Sequence, residues 1–269
     1  MARIPLEDNF GDIVGKAQRG LRLSAADLPA LRSLGEGGVA PADDAIIRQL
    51  AATLRLGPDA LIASARASWR PRDQEPLDGF AAFTTPFGDM TVNSYLAFDP
   101  KTRQAAAFDT GADADPMLQF IRDQQLKLDL ILLTHIHTDH VYELDRLQHA
   151  TGARPWVSAR EPMTGAEPFA DRKEFALGGL KIATRRTSGH ACGGTTFVVT
   201  GLAKRLAVVG DALFAGSMGG GLVDYDEALR TNRAAIFTLP DDTIICPGHG
   251  PLTTVGEEKL HNPFFPEFQ

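Results

Sequence analysis

The stretch Leu132-Leu-Thr-His-Ile-His-Thr-Asp-His140 ends a hydrophobic run in three histidines and an aspartate. Histidine fills only 7 of 269 positions, so a cluster at fixed offsets fits metal ligation better than packing. His135 and His137, two apart, point the same way in extended backbone, whereas Asp139 and His140 fall beyond a bend and face another position. Two metals suit that arrangement better than one. Imidazole and carboxylate favour borderline first-row cations, Zn above all, with Fe or Mn as alternatives; the lack of clustered cysteines speaks against a structural thiolate site.

One quartet cannot complete two coordination shells, so further ligands are expected downstream. His190 in Thr-Ser-Gly-His-Ala-Cys, Asp211 in Val-Val-Gly-Asp-Ala-Leu and His249 in Cys-Pro-Gly-His-Gly-Pro each follow a strand-like stretch beside glycine. Glycine there lets the backbone come close to an ion. Two neighbouring divalent cations lower the pKa of a shared water towards neutrality and polarise an attacked carbonyl. Such chemistry serves esters, thioesters, lactones and phosphodiesters alike.

With its HxHxDH, His, Asp, His order and gaps of 55, 21 and 38 residues, the chain resembles the metallo-β-lactamase superfamily, and within it the glyoxalase II group. The resemblance spans roughly Leu77 to Gln269. It implies an α/β fold, a four-layer αββα sandwich, in which His135, His137 and His190 hold one divalent metal and Asp139, His140 and His249 a second. Asp211 would bridge both, and Asp139 would also be catalytic, orienting the attacking hydroxide. β-Lactamases of this fold place a Cys at the position of Asp211 or lack a bridging carboxylate. The sequences Gly-Asp-Ala-Leu-Phe-Ala-Gly-Ser and Pro-Gly-His-Gly-Pro-Leu-Thr-Thr are most similar to glyoxalase II, so a small-molecule thioester is the expected substrate. Asp109, in Phe-Asp-Thr-Gly, matches an aspartate behind the metals that orients a ligating imidazole through its other nitrogen. Met218, Tyr225, Arg233 and Lys259 are candidate substrate contacts at the rim.

Two departures from glyoxalase II leave the carrier of the acyl group open. Only 20 residues follow His249, where those proteins commonly carry a helical domain that grips glutathione, and the loop after Asp211 lacks their Arg-aromatic pair. Competing readings are a mononuclear-iron persulfide dioxygenase, a lactonase, and a regulator that binds DNA and senses a ligand.

The elements that must position these residues follow from pattern. Leu128 to Thr134 is almost continuously apolar, as a strand buried on both faces is, and delivers His135 to the carboxyl end of a sheet. Before it, Phe80 to Phe87, Met90 to Phe98 and Gln104 to Asp109 alternate with tight turns and predict a meander, and Ala114 to Leu126 has helical spacing. After it come a short helix over Tyr142 to Ala150, strands at Pro155 to Ser158, Leu180 to Arg185, Thr195 to Thr200 and Leu206 to Val209, a helix from Tyr225 to Thr238, and a last strand at Thr243 to Cys246. His149 is read as a helix-end residue, and the tail is expected to pack Phe264 and Phe265 against the body.

Residues 1–72 form a small all-helical domain by the same reasoning, with Arg70 to Pro76 as linker to a catalytic domain at 77–269. Ser24 with Asp27 resembles a capping box. The stretches Gln18 to Leu28 and Ile46 to Leu61 are similar to the first two and last two helices of Cro- and repressor-type helix-turn-helix domains. Where a recognition helix should lie, Leu34 to Asp44 is glycine-rich and acidic, so the expected role is a homodimer contact or a cover over substrate rather than DNA binding.

Composition is that of a soluble globular protein, with 43% hydrophobic and 23% charged residues. Net charge is −7, divided as +2 over residues 1–72 and −9 over the rest, and an acidic catalytic half is a poor partner for nucleic acid. No apolar run approaches the ~18 residues of a membrane span. The amino terminus lacks the layout of a secretory signal, and Cys192 and Cys246 make no disulfide framework, so a cytoplasmic location is expected.

Overall fold

The computed structural model describes residues 3–24 and 40–269. Two six-stranded sheets lie at its centre. In the first, β1 (Phe80–Phe87), β2 (Met90–Phe98) and β3 (Gln104–Phe108) form the expected antiparallel meander. A helix, α4 (Asp115–Asp123), then carries the chain to β4 (Lys127–Leu132), which runs parallel to β3 and is followed outward by β5 (Arg154–Ser158) and β6 (Glu167–Phe169). The second sheet repeats the plan. Its antiparallel run is β7 (Glu174–Leu177), β8 (Leu180–Arg186), β9 (Thr195–Thr200) and β10 (Leu206–Gly210). Through α7 (Tyr225–Ala235) it reaches β11 (Ile244–Pro247), parallel to β10, and ends in β12 (Thr253–Thr254) and α8 (Val255–His261).

Strand periodicity explains why these runs look continuously apolar. On β9, Phe197 and Val199 face the first sheet while Val198 faces the helices outside; on β10, Leu206 and Val208 point inward and Ala207 and Val209 outward. Likewise on β3, Ala106 and Phe108 enter the space between the sheets, and Ala105 and Ala107 meet α4. Both faces of each sheet are therefore covered, which is the αββα arrangement. Each fully buried Phe, such as Phe197 or Phe265, contributes about 2–3 kcal/mol.

The amino-terminal segment has three helices among its described residues: α1 (Phe10–Gly20), α2 (Asp44–Leu54) and α3 (Pro58–Ala65). Asn9 caps α1 in a reciprocal pair with Asp12, and Asp43 caps α2. Their apolar faces, Phe10, Ile13, Ile47, Leu50 and Leu61, do not form a separate core. They share one with Val198, Ala207, Phe237, Phe264 and Phe265, on the outer face of the second sheet. The residues expected to form a capping box and recognition-helix substitute, Asp27 and Leu34 to Val39, lie outside the described residues.

Elsewhere the differences are local. The helix predicted over Tyr142 to Ala150 is α6 (Leu144–Thr151); a one-turn helix that was not expected, α5 (Thr138–Val141), precedes it, and α7 stops at Ala235 rather than Thr238. Three short strands, β6, β7 and β12, and the helix α8 were not expected. The tail packs as anticipated, with Phe264 and Phe265 buried. Among the described residues no helix is long and apolar enough to cross a membrane.

Candidate metal centre

Every predicted ligand leaves the carboxyl end of a strand or starts the element after it. His135 follows β4 by three residues, and His137 is the residue before α5, which itself carries Asp139 and His140. His190 lies on the loop from β8 to β9, Asp211 directly follows β10, and His249 lies two residues past β11. Glycine is required at two of these bends. A Cβ on Gly248 would stand 2.1 Å from Asp211 Oδ1, and one on Gly210, where φ is 53°, would stand 2.4 Å from Thr134 Oγ1.

The side chains converge in two groups, His135 with His137, His190 and Asp211, and Asp139 with His140 and His249; within each, the ligand atoms lie within 4.8 Å of one another. His137 Nδ1 is 3.0 Å from Nε2 of both His135 and His190. In the second group, Asp139 Oδ2 is 3.2 Å from His249 Nε2 and 3.5 Å from His140 Nε2. Asp211 reaches both groups: its Oδ1 is 3.2 Å from His140 Nε2, and its Oδ2 is 3.4 Å from His190 Nε2 and 3.5 Å from His249 Nε2.

Hydrogen bonds on the outer nitrogens decide which way the imidazoles present lone pairs. His140 Nδ1 donates to Asp109 Oδ2 at 2.8 Å, His190 Nδ1 to Gly220 O at 2.9 Å, and His249 Nδ1 to Thr91 O at 2.6 Å. Thr134 Oγ1 gives its proton to Asp109 Oδ2 and so accepts from His135 Nδ1 at 3.0 Å. Asp109 thus stands behind one imidazole of each group, directly for His140 and through Thr134 for His135. Its Oδ1 takes the Thr134 N–H, and its φ of 55° is the left-handed conformation that places the carboxylate there.

A cation fits this donor set. His140 Nε2 and Asp211 Oδ1 are buried, face each other and have no hydrogen-bond partner, a condition that buried polar atoms rarely tolerate. Burial opposes charge on His140 and His249, yet Asp211, with Asp109 for the one and Asp139 for the other, lifts them to about 10 and about 11. Burial also opposes charge on Asp211, but the two imidazoles hold it well below the usual carboxylate range. The site calls for positive charge, which bound metal supplies in exchange for these protons. His135 and His190 are pushed down, first by burial and then by neighbouring imidazoles, and so stay neutral, as ligands must be.

Of the four predicted rim contacts, none is assembled with the ligands. Met218 is buried in the core under α1, Arg233 is paired with Glu267, and Lys259 with Asp241. Tyr225 starts α7 and packs its ring on Gly20. Arg233 and Lys259 follow α7 and α8 to carboxylates of their own, and Met218 turns from the loop after β10 into the core, directions that sequence distance does not reveal. His149 is exposed at the end of α6 and bonds Asp145 O. Missed entirely was the segment before α1. Glu7 lies against Gly250 and in the field of His249 and Asp211, and Asp8 binds Lys16 and Ser217. No local pattern in the sequence marks this long-range approach.

Residues 87–249 match the family described as the Metallo-beta-lactamase superfamily. Among curated proteins, a hydroxyacylglutathione hydrolase of Haemophilus influenzae is 30% identical over 66% of this chain and 95% of its own length. A probable metallo-hydrolase of Streptococcus pyogenes is 30% identical over 58% of this chain and 79% of its own. Among solved structures, TTHA1623 in a di-iron-bound form superposes with a TM-score of 0.56 at 25% identity, covering 68% of this chain and 99% of that one. The two sheets, the ligand-bearing loops at their strand ends and these matches place the chain in the metallo-beta-lactamase superfamily, as a metallo-hydrolase.

Proposed function

We propose that the protein is a thioesterase of the glyoxalase II kind that holds two divalent cations, with Zn the first candidate and Fe or Mn the others. The observation that carries the reading is Asp211, a single buried carboxylate within 3.5 Å of imidazoles from both ligand groups. The hydroxyacylglutathione hydrolase relative and the di-iron neighbour support it. When bound, the cations supply hydroxide at neutral pH and polarise the carbonyl under attack.

The chain's own residues do the remaining work. Asp139 keeps one carboxylate oxygen on His249 and His140 and is half-buried, so its other oxygen is free to accept and orient a proton of the attacking water. Asp109 and Thr134 hold the imidazoles of His140 and His135 in one tautomer and one orientation, which keeps the two groups in register without rearrangement during reaction. Burial of His135, His140 and His249 keeps bulk water from competing at their ring nitrogens.

Elemental analysis of protein purified without added metal, followed by a panel of thioester, lactone, phosphodiester and persulfide substrates, tests this. The expected result is about two metals per chain and preferred thioester turnover. A single iron with oxygen consumption on a persulfide would replace the reading with the dioxygenase one.

A further inference from the structure

Between the carboxyl ends of α1 and α2 and the loop after Asp211 lies a cleft of about 650 Å³, lined on the helical side by Arg19, Arg22 and Arg55. Among the described residues, none of these three guanidiniums has an ion-pair partner, whereas Arg160 and Arg186, in a cavity on the other flank of the same loop, are taken by Asp171 and Glu227. Two carboxylates also line the cleft. Asp224 accepts the Glu227 N–H as the cap of α7, and with Asp226 it sets two anions against three cations, an excess of one positive charge.

Arg22 and Arg55 have φ of 55° and 58°, the left-handed conformation in which helices usually end on glycine. An arginine in that conformation is strained, and strain of this sort gathers where a side chain has a task. Both residues line the same cleft. Its opposite wall is tied to the metal centre: Gly220 O receives His190 Nδ1, and Gly189 O receives the N–H groups of Val223 and Asp224. On that wall Leu222 and Val223 are 71% and 57% exposed.

We infer that this cleft holds the anionic end of the thiol carrier, a carboxylate or a phosphate, while the thioester itself lies at the metals; the inference rests on the thioesterase reading. A guanidinium fork matches either oxyanion in two parallel hydrogen bonds, and three of them without partners bind a charged tail in preference to a neutral one. Leu222 and Val223 offer apolar surface to the uncharged stem between. The arginines lie outside the part of the chain matched by the family, so the cationic wall of this site is supplied by the amino-terminal segment and the facing wall by the matched part.

The test compares kcat/KM for one acyl group carried by glutathione, by coenzyme A and by uncharged N-acetylcysteamine, in the metal-loaded wild type and in Arg22→Gly, Arg55→Gly and Arg55→Lys. Glycine suits both backbone positions, so the variants fold. The preference for a charged carrier over N-acetylcysteamine should fall about 10- to 100-fold in each glycine variant, through KM, and less in Arg55→Lys. The carrier whose preference falls distinguishes carboxylate from phosphate. An unchanged preference in both glycine variants overturns the inference. If the wild type hydrolyses none of the three, the thioesterase reading fails, and calorimetry with glutathione and coenzyme A decides the cleft separately: arginine-dependent binding upholds it, and absent or arginine-independent binding overturns it.

Discussion

The two ligand groups share Asp211 but are held differently. Around Asp139, His140 and His249, both imidazoles are buried, and the outer nitrogen of His140 donates to a carboxylate, Asp109. Around His135, His137 and His190, two of the three rings are partly open to solvent, and the outer bonds of His135 and His190 go to neutral oxygens, Thr134 Oγ1 and Gly220 O. A carboxylate behind an imidazole makes it a stronger ligand than a carbonyl does. The Asp139 group should therefore grip its cation more tightly, and the His137 group should be the face that opens to substrate.

The harshest way to break this contrast is to remove a ligand. His137→Ala or Asp139→Ala should abolish thioester turnover, and Asp139→Ala should also lower the metal content towards one per chain; full turnover in either variant would sink the assignment. Asp109→Asn is the sharper tool, because it keeps the shape but weakens the hydrogen bond behind His140. We expect a loss of about 10- to 100-fold in metal affinity, read by competition with a chelator of known strength. Equal ease of removal of both metals from wild-type protein would show that the outer bonds do not rank the groups.

Two further changes should leave that contrast alone and act on stability. Leu50→Ala, in the core that α2 shares with the second sheet, should cost about 2–5 kcal/mol in a single unfolding transition. A separate early transition for the helices would show that they are an independent body. Glu258 gives an effect confined to a pH window. Burial raises its carboxyl from 4.5 to about 8, against the opposing pull of hydrogen bonds from Asn262, Thr253 and the Gly216 N–H. Its folded value is the higher one, so its stabilising contribution is full below about pH 4.5 and is lost as pH rises through about 8. Glu258→Gln should flatten that slope by about 3 kcal/mol between pH 5 and 8, measured from urea midpoints; an unchanged slope would place the titration elsewhere.

Legibility in the sequence differed sharply between residues. His135, His137, Asp139 and His140 announce themselves because metal ligation needs scarce residue types at short fixed offsets, and β4 announces itself because a strand buried on both faces has no polar side. Short pieces such as β6 and β12, three and two residues long, carry too little pattern to be seen. The rim residues Met218, Arg233 and Lys259 are buried or ion-paired elsewhere, because nearness in sequence to a ligand does not say which way a side chain turns.

The sequence alone determined the ligand types, their spacing and the strands that carry them, since all three are set by local periodicity and by chemistry that few residues can perform. Only the tertiary structure decided which imidazoles Asp211 reaches, that Asp109 serves His135 through Thr134 as well as His140 directly, and that three arginines at the carboxyl ends of α1 and α2 line a cleft with the loop beside His190. Those facts depend on how two sheets and a helical layer pack, over separations of tens to hundreds of residues, and no local pattern encodes such distances.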